Sequence, residues 1–338
     1  MNATANPPNM AQVDVRKGDI IAVEDGKGGQ GVYEVTKAGQ GCYACYLTAQ
    51  GRMISDMWLH ELGDVMLMTL PGTTRETVLA RLDQFIFSED VQLGDVTETF
   101  ASLAVLGPDA ARLVATVTSG VSVDQLAALH EGGNVRAEVS GEPAIVLRTG
   151  DAGVPGFELL VAAAQFEPTW QALRAAGAAE LSTEAAEVLR VEGGVARFHQ
   201  DMDETIIPLE VGLEQRAISQ TKGCYVGQEV IIRVLHRGHG RVAKKLVGLA
   251  LAGDEVPETA PLAGGGAEPQ GKSPTTLIRS VDPESGAEKE IGRVTSAVYS
   301  PSLKQPIALG YVQRDYTEPG TRVRVGSAEA TVTALPFV

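Results

Sequence analysis

The chain has 338 residues, of which 44% are hydrophobic, and carries a formal net charge of −15 at pH 7 with an isoelectric point near 4.8. This length predicts about two or three domains, and the hydrophobic content is enough to fill their cores. The acidic balance argues against general binding to nucleic acid, which needs a basic surface. An odd cysteine count, no apolar run of membrane-spanning length and no leader-like start predict a cytoplasmic protein without a disulfide framework or membrane contact.

Short β-strands are predicted to dominate the N-terminal part, after a frayed start rich in Asn, Pro and Ala. The predicted strands are Ile20 to Val23, Val32 to Val35, Gly41 to Leu47 and Met53 to Leu59, the last two forming a hairpin. Cys42 and Cys45 form a CxxC within the third of these strands. Because side chains alternate along a strand, the two thiols should point to opposite faces, which favours structural cysteines over a redox or metal pair.

Helices and strands alternate through the middle of the chain, as apolar periodicity and capping residues indicate. The predicted helices are Thr73 to Phe87, Pro108 to Val117, Val123 to Leu129, Phe166 to Ala176 and Thr183 to Val191. The predicted strands lie within 91–106 and at Ala137 to Val139, Ile145 to Arg148 and Pro155 to Val161. After Lys245 the pattern changes to several short strands with regular turns, which predicts a small barrel or sandwich.

One stretch combines residue types that a plain core strand would not need. Residues 222–229 read KGCYVGQE, with Gly223 and Gly227 four positions apart and Cys224 between them. Glycines at this spacing suit a tight turn or a close backbone approach, and Lys222 would favour the thiolate form of Cys224. The alternative is a glycine-marked turn that leads into a strand over Glu229 to Leu235, with Cys224 an ordinary small residue.

These eight residues resemble the K-G-C-Y-x-G-Q-E signature of the YgfZ family of folate-binding proteins, which is related to the glycine-cleavage T-protein, an aminomethyltransferase. The T-protein usually carries a variant close to K-x-D-F-I-G-R-E, so Cys224 and Gln228 favour the YgfZ-like branch. Other segments are similar to motifs of the same superfamily: Pro155 to Val161, Leu189 to Gly194, Asp201 to Glu210, and Ile291 to Val312 in the C-terminal barrel.

The resemblance implies a set of site residues. Cys224 is expected to be a reactive thiol facing the folate cavity, and Asp56 to act on the folate-bound one-carbon unit. The T-protein has an acidic pair at that point, whereas this chain has Ser55 and Asp56. Alternatively, Asp56 is a solvated strand residue. The residues expected to bind the cofactor are Glu158, Arg190, Lys222, Tyr225 and Arg233.

Two of the expected cofactor-binding residues have alternatives of their own. Glu158 could accept paired N–H groups of a pterin ring or sit on the wet face of a strand. Arg190 could clamp a carboxylate or a pterin oxygen, or it could form an ion pair with Glu192 that fixes the following loop. The stretch from Lys222 to Lys245 holds six Lys or Arg against one acid, so it should attract a polyanion such as a folate with a polyglutamate tail.

The implied fold is α+β: a ring-like aminomethyltransferase folate-binding region of two interleaved subdomains over 1–241, followed by a β-barrel domain over 242–338. The implied function is tetrahydrofolate binding in support of iron–sulfur cluster assembly or repair, with assembly or client proteins as partners. One alternative is an aminomethyltransferase with a lipoyl-protein partner. Another is a non-catalytic scaffold that docks an acidic partner. The sequence leaves open whether any chemistry occurs on the folate.

Overall fold

The computed structural model describes residues 10–16, 37–87, 91–220, 222–238, 240–259, 276–281 and 286–338. The predicted strands Ile20 to Val23 and Val32 to Val35 lie outside these ranges. Within them, no helix is both long enough and apolar enough to cross a membrane.

The first sheet is antiparallel, with five strands in the order β2-β3-β4-β1-β5. Its strands are β1 (Met10–Arg16), β2 (Gly41–Leu47), β3 (Met53–Glu61), β4 (Val65–Pro71) and β5 (Leu93–Asp95). No strand is predicted at β1, yet β1 pairs along its whole length with β4. Local sequence carries little of this information, because the paired residues are 49 to 61 positions apart and only tertiary structure brings them together.

Helix α1 (Arg75–Asp83) covers one face of this sheet and is shorter than the predicted Thr73 to Phe87. Its buried residues Val78 and Leu82 pack against Met66 and Met68 of β4. Since side chains alternate along each strand, one face packs its apolar side chains under α1 and the opposite face is left for other partners.

The second sheet is also antiparallel, with the order β6-β9-β8-β7. Its strands are β6 (Phe100–Leu106), β7 (Asn134–Val139), β8 (Glu142–Thr149) and β9 (Gly156–Ala162). Three helices pack on its outer face: α2 (Ala110–Val117), α3 (Val123–Ala127) and α4 (Phe166–Ala175). Phe157 and Leu159 of β9 point into that helical layer, so Glu158 between them points the other way.

The inner faces of the two sheets meet in a small apolar contact. Leu62 and Leu67 of the first sheet pack with Ile145, Leu147 and Leu160 of the second. The same inner faces carry polar side chains beyond this contact, and the region between these side chains is called the inter-sheet space below.

The regular elements described between the second sheet and the barrel are helices. They include α5 (Thr183–Glu192), α6 (Pro208–Val211), α7 (Glu214–Ala217) and α8 (Gln228–Ile232), which continues into a π-helical turn at Arg233–Arg237. The strand expected at Glu229 to Leu235 is therefore wrong. A short apolar run does not distinguish a strand from a helix, and Gly227 begins a helix here.

Gly227 is needed for two reasons. Its φ is +85°, a left-handed conformation that other residues rarely adopt. A Cβ at this position would lie 2.6 Å from the Thr48 carbonyl oxygen. The signature glycine thus lets α8 start directly against the β2–β3 hairpin turn at Gly51.

The C-terminal strands close a barrel in the order β10-β13-β12-β11-β14-β15. The strands are β10 (Lys244–Leu251), β11 (Leu277–Val281), β12 (Glu288–Ser300), β13 (Gln305–Gln313), β14 (Arg322–Val325) and β15 (Ala328–Thr333). Leu249, Ile278, Ala308 and Val312 are fully buried in its interior. The predicted α+β class with a C-terminal β-barrel is confirmed.

Candidate functional site

A row of polar and aromatic side chains lies on the inner face of the first sheet. Asp56, Trp58 and His60 occupy alternate positions of β3 and so share one face. Across the ladder, Cys45 pairs with Asp56 and Tyr43 pairs with Trp58, which adds these two β2 side chains to the same face. Cys42 belongs instead to the core under α1, so the CxxC thiols do point to opposite faces.

Asp56 is held in this row by Tyr43, whose hydroxyl donates a 2.6 Å hydrogen bond to Asp56 Oδ2. The other oxygen, Oδ1, is buried and has no hydrogen-bond partner in the described part of the chain. Burial raises the pKa of Asp56 to about 6, although the Tyr43 hydrogen bond acts in the opposite direction. A carboxyl with such a pKa can take up or release a proton near neutral pH.

Ser55 lies on the other face of the strand. It is fully buried, and its hydroxyl is 2.7 Å from the Thr74 hydroxyl. The serine at the first position of the acidic pair therefore points away from the site, and the carboxylate that faces the site is retained at Asp56.

Arg216 of α7 covers the aromatic side chains. Its guanidinium carbon lies 4.5 Å from the centre of the Tyr43 ring and 5.1 Å from that of Trp58. It donates hydrogen bonds to Glu131 (2.6 Å) and Asp151 (2.9 Å). Asp151 also accepts a 2.7 Å hydrogen bond from the Trp58 indole. The sequence did not point to Arg216, Asp151 or Trp58, because they are far apart along the chain and match no motif.

Glu158 enters the site from the second sheet. It is 8% exposed, and the Ser102 hydroxyl donates a 2.5 Å hydrogen bond to its Oε1. Burial, together with the negative charge of Asp151, raises the pKa of Glu158 to about 7, although the hydrogen bond from Ser102 acts in the opposite direction. Asp151 also raises the pKa of Asp56, so one charge acts on both buried carboxyls.

A pocket adjoins this space at the free edge of β2. It encloses about 520 Å³, part of it open to solvent, and Cys45, Lys222 and Tyr225 are among its lining residues. The Lys222 ammonium lies 4.7 Å from the centre of the Tyr225 ring, and burial lowers its pKa. The Tyr225 hydroxyl is buried without a hydrogen-bond partner within the described ranges. Two of the predicted cofactor-binding residues therefore line one pocket.

Cys45 links this pocket to the inter-sheet space. It lines the pocket, and burial and the charge of Asp56 both raise the pKa of its thiol. A thiol with a raised pKa stays protonated and is a weak nucleophile.

Two family models match the chain, and together they cover most of it. The GCVT N-terminal domain matches residues 32–222, and the glycine cleavage T-protein C-terminal barrel domain matches residues 244–338. The chain belongs to the GcvT-like aminomethyltransferase family.

Individual members of the GcvT-like family are similar over most of the chain. The aminomethyltransferase of Rubrobacter xylanophilus is 32% identical over 298 residues, which cover 87% of this chain and 72% of that protein. The aminomethyltransferase of Streptomyces coelicolor is 27% identical over 305 residues, which cover 87% of this chain and 75% of that protein. Among solved structures, aminomethyltransferase T of the glycine cleavage system from Bartonella henselae has a TM-score of 0.75 at 20% identity, with 98% of this chain and 84% of that chain covered.

Two predicted site residues of this GcvT-like protein lie outside the inter-sheet space. Cys224 is exposed and does not line the pocket, although its neighbours Lys222 and Tyr225 do. Arg233 is exposed on the π-helical turn and forms an ion pair with Glu229, one helical turn away. Neither residue is among the lining of the pocket, and their expected roles at the folate site stay predictions.

Arg190 has a structural role in this family member. It is 2% exposed, and all five of its N–H donors are bonded within the protein. Their acceptors are Glu187, Asp201, the Val195 carbonyl and Ser296. Because Ser296 belongs to β12, Arg190 joins α5 to the barrel and has no donor left for a ligand.

The alternative expectation for Arg190, an ion pair with Glu192, is also wrong. Glu192 instead accepts hydrogen bonds from Ser300 (2.5 Å) and Ser302 (3.1 Å) of the barrel. Neighbouring residues of α5 thus make two separate contacts with the barrel.

Proposed function

We propose that this protein is an aminomethyltransferase that binds tetrahydrofolate between its two sheets and transfers a one-carbon unit to it. The observation that carries the proposal is the pair of buried carboxyls on facing sheets, Asp56 and Glu158, both with raised pKa values. The similar proteins named aminomethyltransferase support it.

The residues between the sheets fit a reduced folate. A pterin ring is flat and carries adjacent N–H donors at one end, for which the Glu158 carboxylate is a suitable acceptor. Asp56 Oδ1 is a buried acceptor that the described chain leaves unpaired, as expected of an atom reserved for a ligand.

Asp56 is placed to handle the proton that the transfer requires. Tetrahydrofolate accepts a methylene unit between its ring nitrogen N5 and its side-chain nitrogen N10 when the unit arrives as an aminomethyl group on a thiol. The protons that N5 and N10 lose leave with ammonia and the free thiol. The departing nitrogen must gain a proton, and a carboxyl whose pKa is about 6 can hold one near neutral pH. The Tyr43 hydrogen bond fixes the orientation of this carboxyl.

The serine at position 55, where the T-protein has the first residue of an acidic pair, does not argue against this chemistry. Ser55 bonds to Thr74 on the α1 side of the sheet, so an acid at that position would not reach the inter-sheet space without a change of face. The carboxylate that the reaction needs is the one at Asp56.

Neighbouring residues provide a matched experiment. We expect Asp56→Asn to lower the rate of ammonia release from an aminomethyl-loaded lipoyl carrier by about 10²–10⁴-fold. Ser55→Ala, one residue away on the opposite face, should keep the rate within a few-fold of wild type. Tetrahydrofolate should still bind Asp56→Asn in calorimetry. Wild-type turnover by Asp56→Asn would refute the assigned role.

Calorimetry with tetrahydrofolate tests the binding site separately. Wild type should bind, and Glu158→Ala should bind at least tenfold more weakly because it removes a charged acceptor. No heat with the wild-type protein would exclude the folate proposal and favour a non-catalytic scaffold for an acidic partner.

A second candidate is a YgfZ-like role in iron–sulfur cluster assembly or repair. The exposure of Cys224 favours it, because an accessible thiol beside the pocket residues Lys222 and Tyr225 can meet another protein. If this role holds, Cys224→Ser should fail to complement a strain that lacks the homologue, whereas its aminomethyl transfer in vitro should match wild type. Full complementation by Cys224→Ser would remove this candidate.

A further inference from the structure

One buried polar atom between the sheets has no part in the function proposed above: Nε2 of His60. The His60 side chain is 2% exposed and lies on the inner face of β3, two positions beyond Trp58. Its ring stacks on Trp58 with centroids 6.1 Å apart and planes 17° from parallel. Nε2 is buried and has no hydrogen-bond partner among the residues that the structure describes.

The other ring nitrogen determines what Nε2 can do. Nδ1 lies 3.0 Å from the Gly132 carbonyl oxygen. A carbonyl oxygen only accepts, so Nδ1 must carry the hydrogen, and neutral imidazole then leaves Nε2 as a lone-pair acceptor. Burial lowers the pKa of His60 to about 4, which keeps the ring neutral in this tautomer. A buried acceptor without a donor is costly, so this position suits a donor from a ligand.

The packing places His60 at the same end of the site as Glu158. Along β3, His60 lies about 13 Å from Asp56, at roughly 3.3 Å per residue. Leu67 pairs with His60 across the ladder, and Leu147 pairs with Glu158. Both leucines belong to the apolar contact between the sheets. His60 and Glu158 therefore flank that contact together, whereas Asp56 lies toward the opposite end.

We propose that His60 is a specificity-determining residue whose Nε2 accepts a hydrogen bond from the 2-amino group of a bound pterin; the inference rests on the proposed folate binding. The pterin has three N–H bonds at this end, one on the ring and two on the amino group. A carboxylate such as Glu158 accepts two of them side by side. The third needs another acceptor, which His60 Nε2 supplies.

This assignment predicts discrimination between ligands. Because Nδ1–H is committed to Gly132, Nε2 cannot become a donor without breaking that bond. A ring that carries a carbonyl oxygen in place of the amino group would set two lone pairs against each other. A site that pairs a ligand N–H in this way strongly disfavours analogues that lack it.

A cycle of protein variants and ligands tests the contact. The full chain is titrated by calorimetry with tetrahydrofolate and with its 2-desamino analogue, in which hydrogen replaces the amino group. His60→Asn keeps a donor near the Gly132 carbonyl but lacks the outer acceptor. It should bind tetrahydrofolate about tenfold more weakly than wild type while binding the analogue nearly as well as wild type does. His60→Gln, which can place an amide oxygen near the lost Nε2, should recover most of the affinity. His130→Asn, at an exposed histidine, is the control and should change neither value.

Nitrogen NMR of the histidine rings gives a readout that does not depend on affinity. The ¹⁵N signal of His60 Nε2, assigned by its loss in His60→Asn, should move on addition of tetrahydrofolate in the direction of hydrogen-bond acceptance and stay in place with the analogue. If tetrahydrofolate binds but this signal does not move, or His60→Asn weakens both ligands equally, the His60 contact is refuted and folate binding stands. If wild type binds no tetrahydrofolate, both proposals fall.

Discussion

Replacing Glu158 by glutamine should stabilise the folded protein at alkaline pH. The ordinary pKa of a glutamate is 4.5, and in the folded state that of Glu158 is about 7. The folded protein therefore binds this proton more tightly than the unfolded chain does, and ionising the buried carboxyl opposes folding. Each pH unit between the two values corresponds to about 1.4 kcal/mol, so the full cost is roughly 3 kcal/mol above pH 7. Glutamine avoids this cost and can still accept the bond from Ser102.

Urea unfolding of wild type and Glu158→Gln from pH 4.5 to pH 9 measures the effect. The variant should show no gain near pH 4.5, because the wild-type carboxyl is then protonated in the folded protein. The gain should grow as the pH rises through 7 and level off above it. Glu142→Gln, a substitution at an exposed glutamate, should give a difference in unfolding free energy that does not change with pH. A difference for Glu158→Gln that does not change with pH, or that has the opposite sign, would refute the reasoning about burial.

Three further substitutions test other parts of the structure. Arg190→Met should lower the free energy of unfolding in urea by about 3–5 kcal/mol, because it leaves buried carboxylates without their cation. Calorimetry on the folded fraction should give an unchanged Kd for tetrahydrofolate, whereas weaker binding would place Arg190 in the ligand site. Gly227→Ala should lower Tm more than Gly212→Ala. Both glycines have a positive φ, but only at Gly227 would the added Cβ meet the backbone, 2.6 Å from the carbonyl oxygen of Thr48. Equal losses of Tm would mean that the strain of the positive φ is the only cause. Cys224→Ser should leave the tetrahydrofolate Kd unchanged in calorimetry, because Cys224 is exposed and lies outside the pocket lining; weaker binding would return the thiol to the cavity.

Patterns that repeat over a few residues were sufficient to predict the barrel and the strand that carries Glu158. The alternation of apolar and polar residues and the regular spacing of turns are local signals, and strands β10 to β15 lie where these signals occur. Glu158 stands in the apolar run of β9, so its burial follows from its neighbours. What the sequence does not predict is which face of the first sheet lies opposite Glu158, because that depends on how the two sheets dock.

The roles of Arg190 and Arg216 were not predicted for one physical reason: the contacts that determine these roles join distant parts of the chain. Arg190 has the residue type of a ligand clamp, but Asp201 and Ser296, which bind it, lie 11 and 106 residues away. Arg216 likewise gains its place from Tyr43, Trp58 and Asp151, none of them near it in sequence. A motif identifies candidate residues, whereas long-range packing decides which of them retain free hydrogen-bonding atoms.

The position of Asp56 relative to Cys224 makes the two candidate functions separable. Asp56 is buried on β3 beneath the Tyr43 hydroxyl, whereas Cys224 is on the surface before α8. A single mechanism that used both groups on one ligand would require the loop around Cys224 to move inward. If both functions exist, Asp56→Asn should abolish transfer but not complementation, and Cys224→Ser should do the reverse. Loss of both activities in either variant would show that the signature loop and the inter-sheet site act as one unit, and that the loop closes during function.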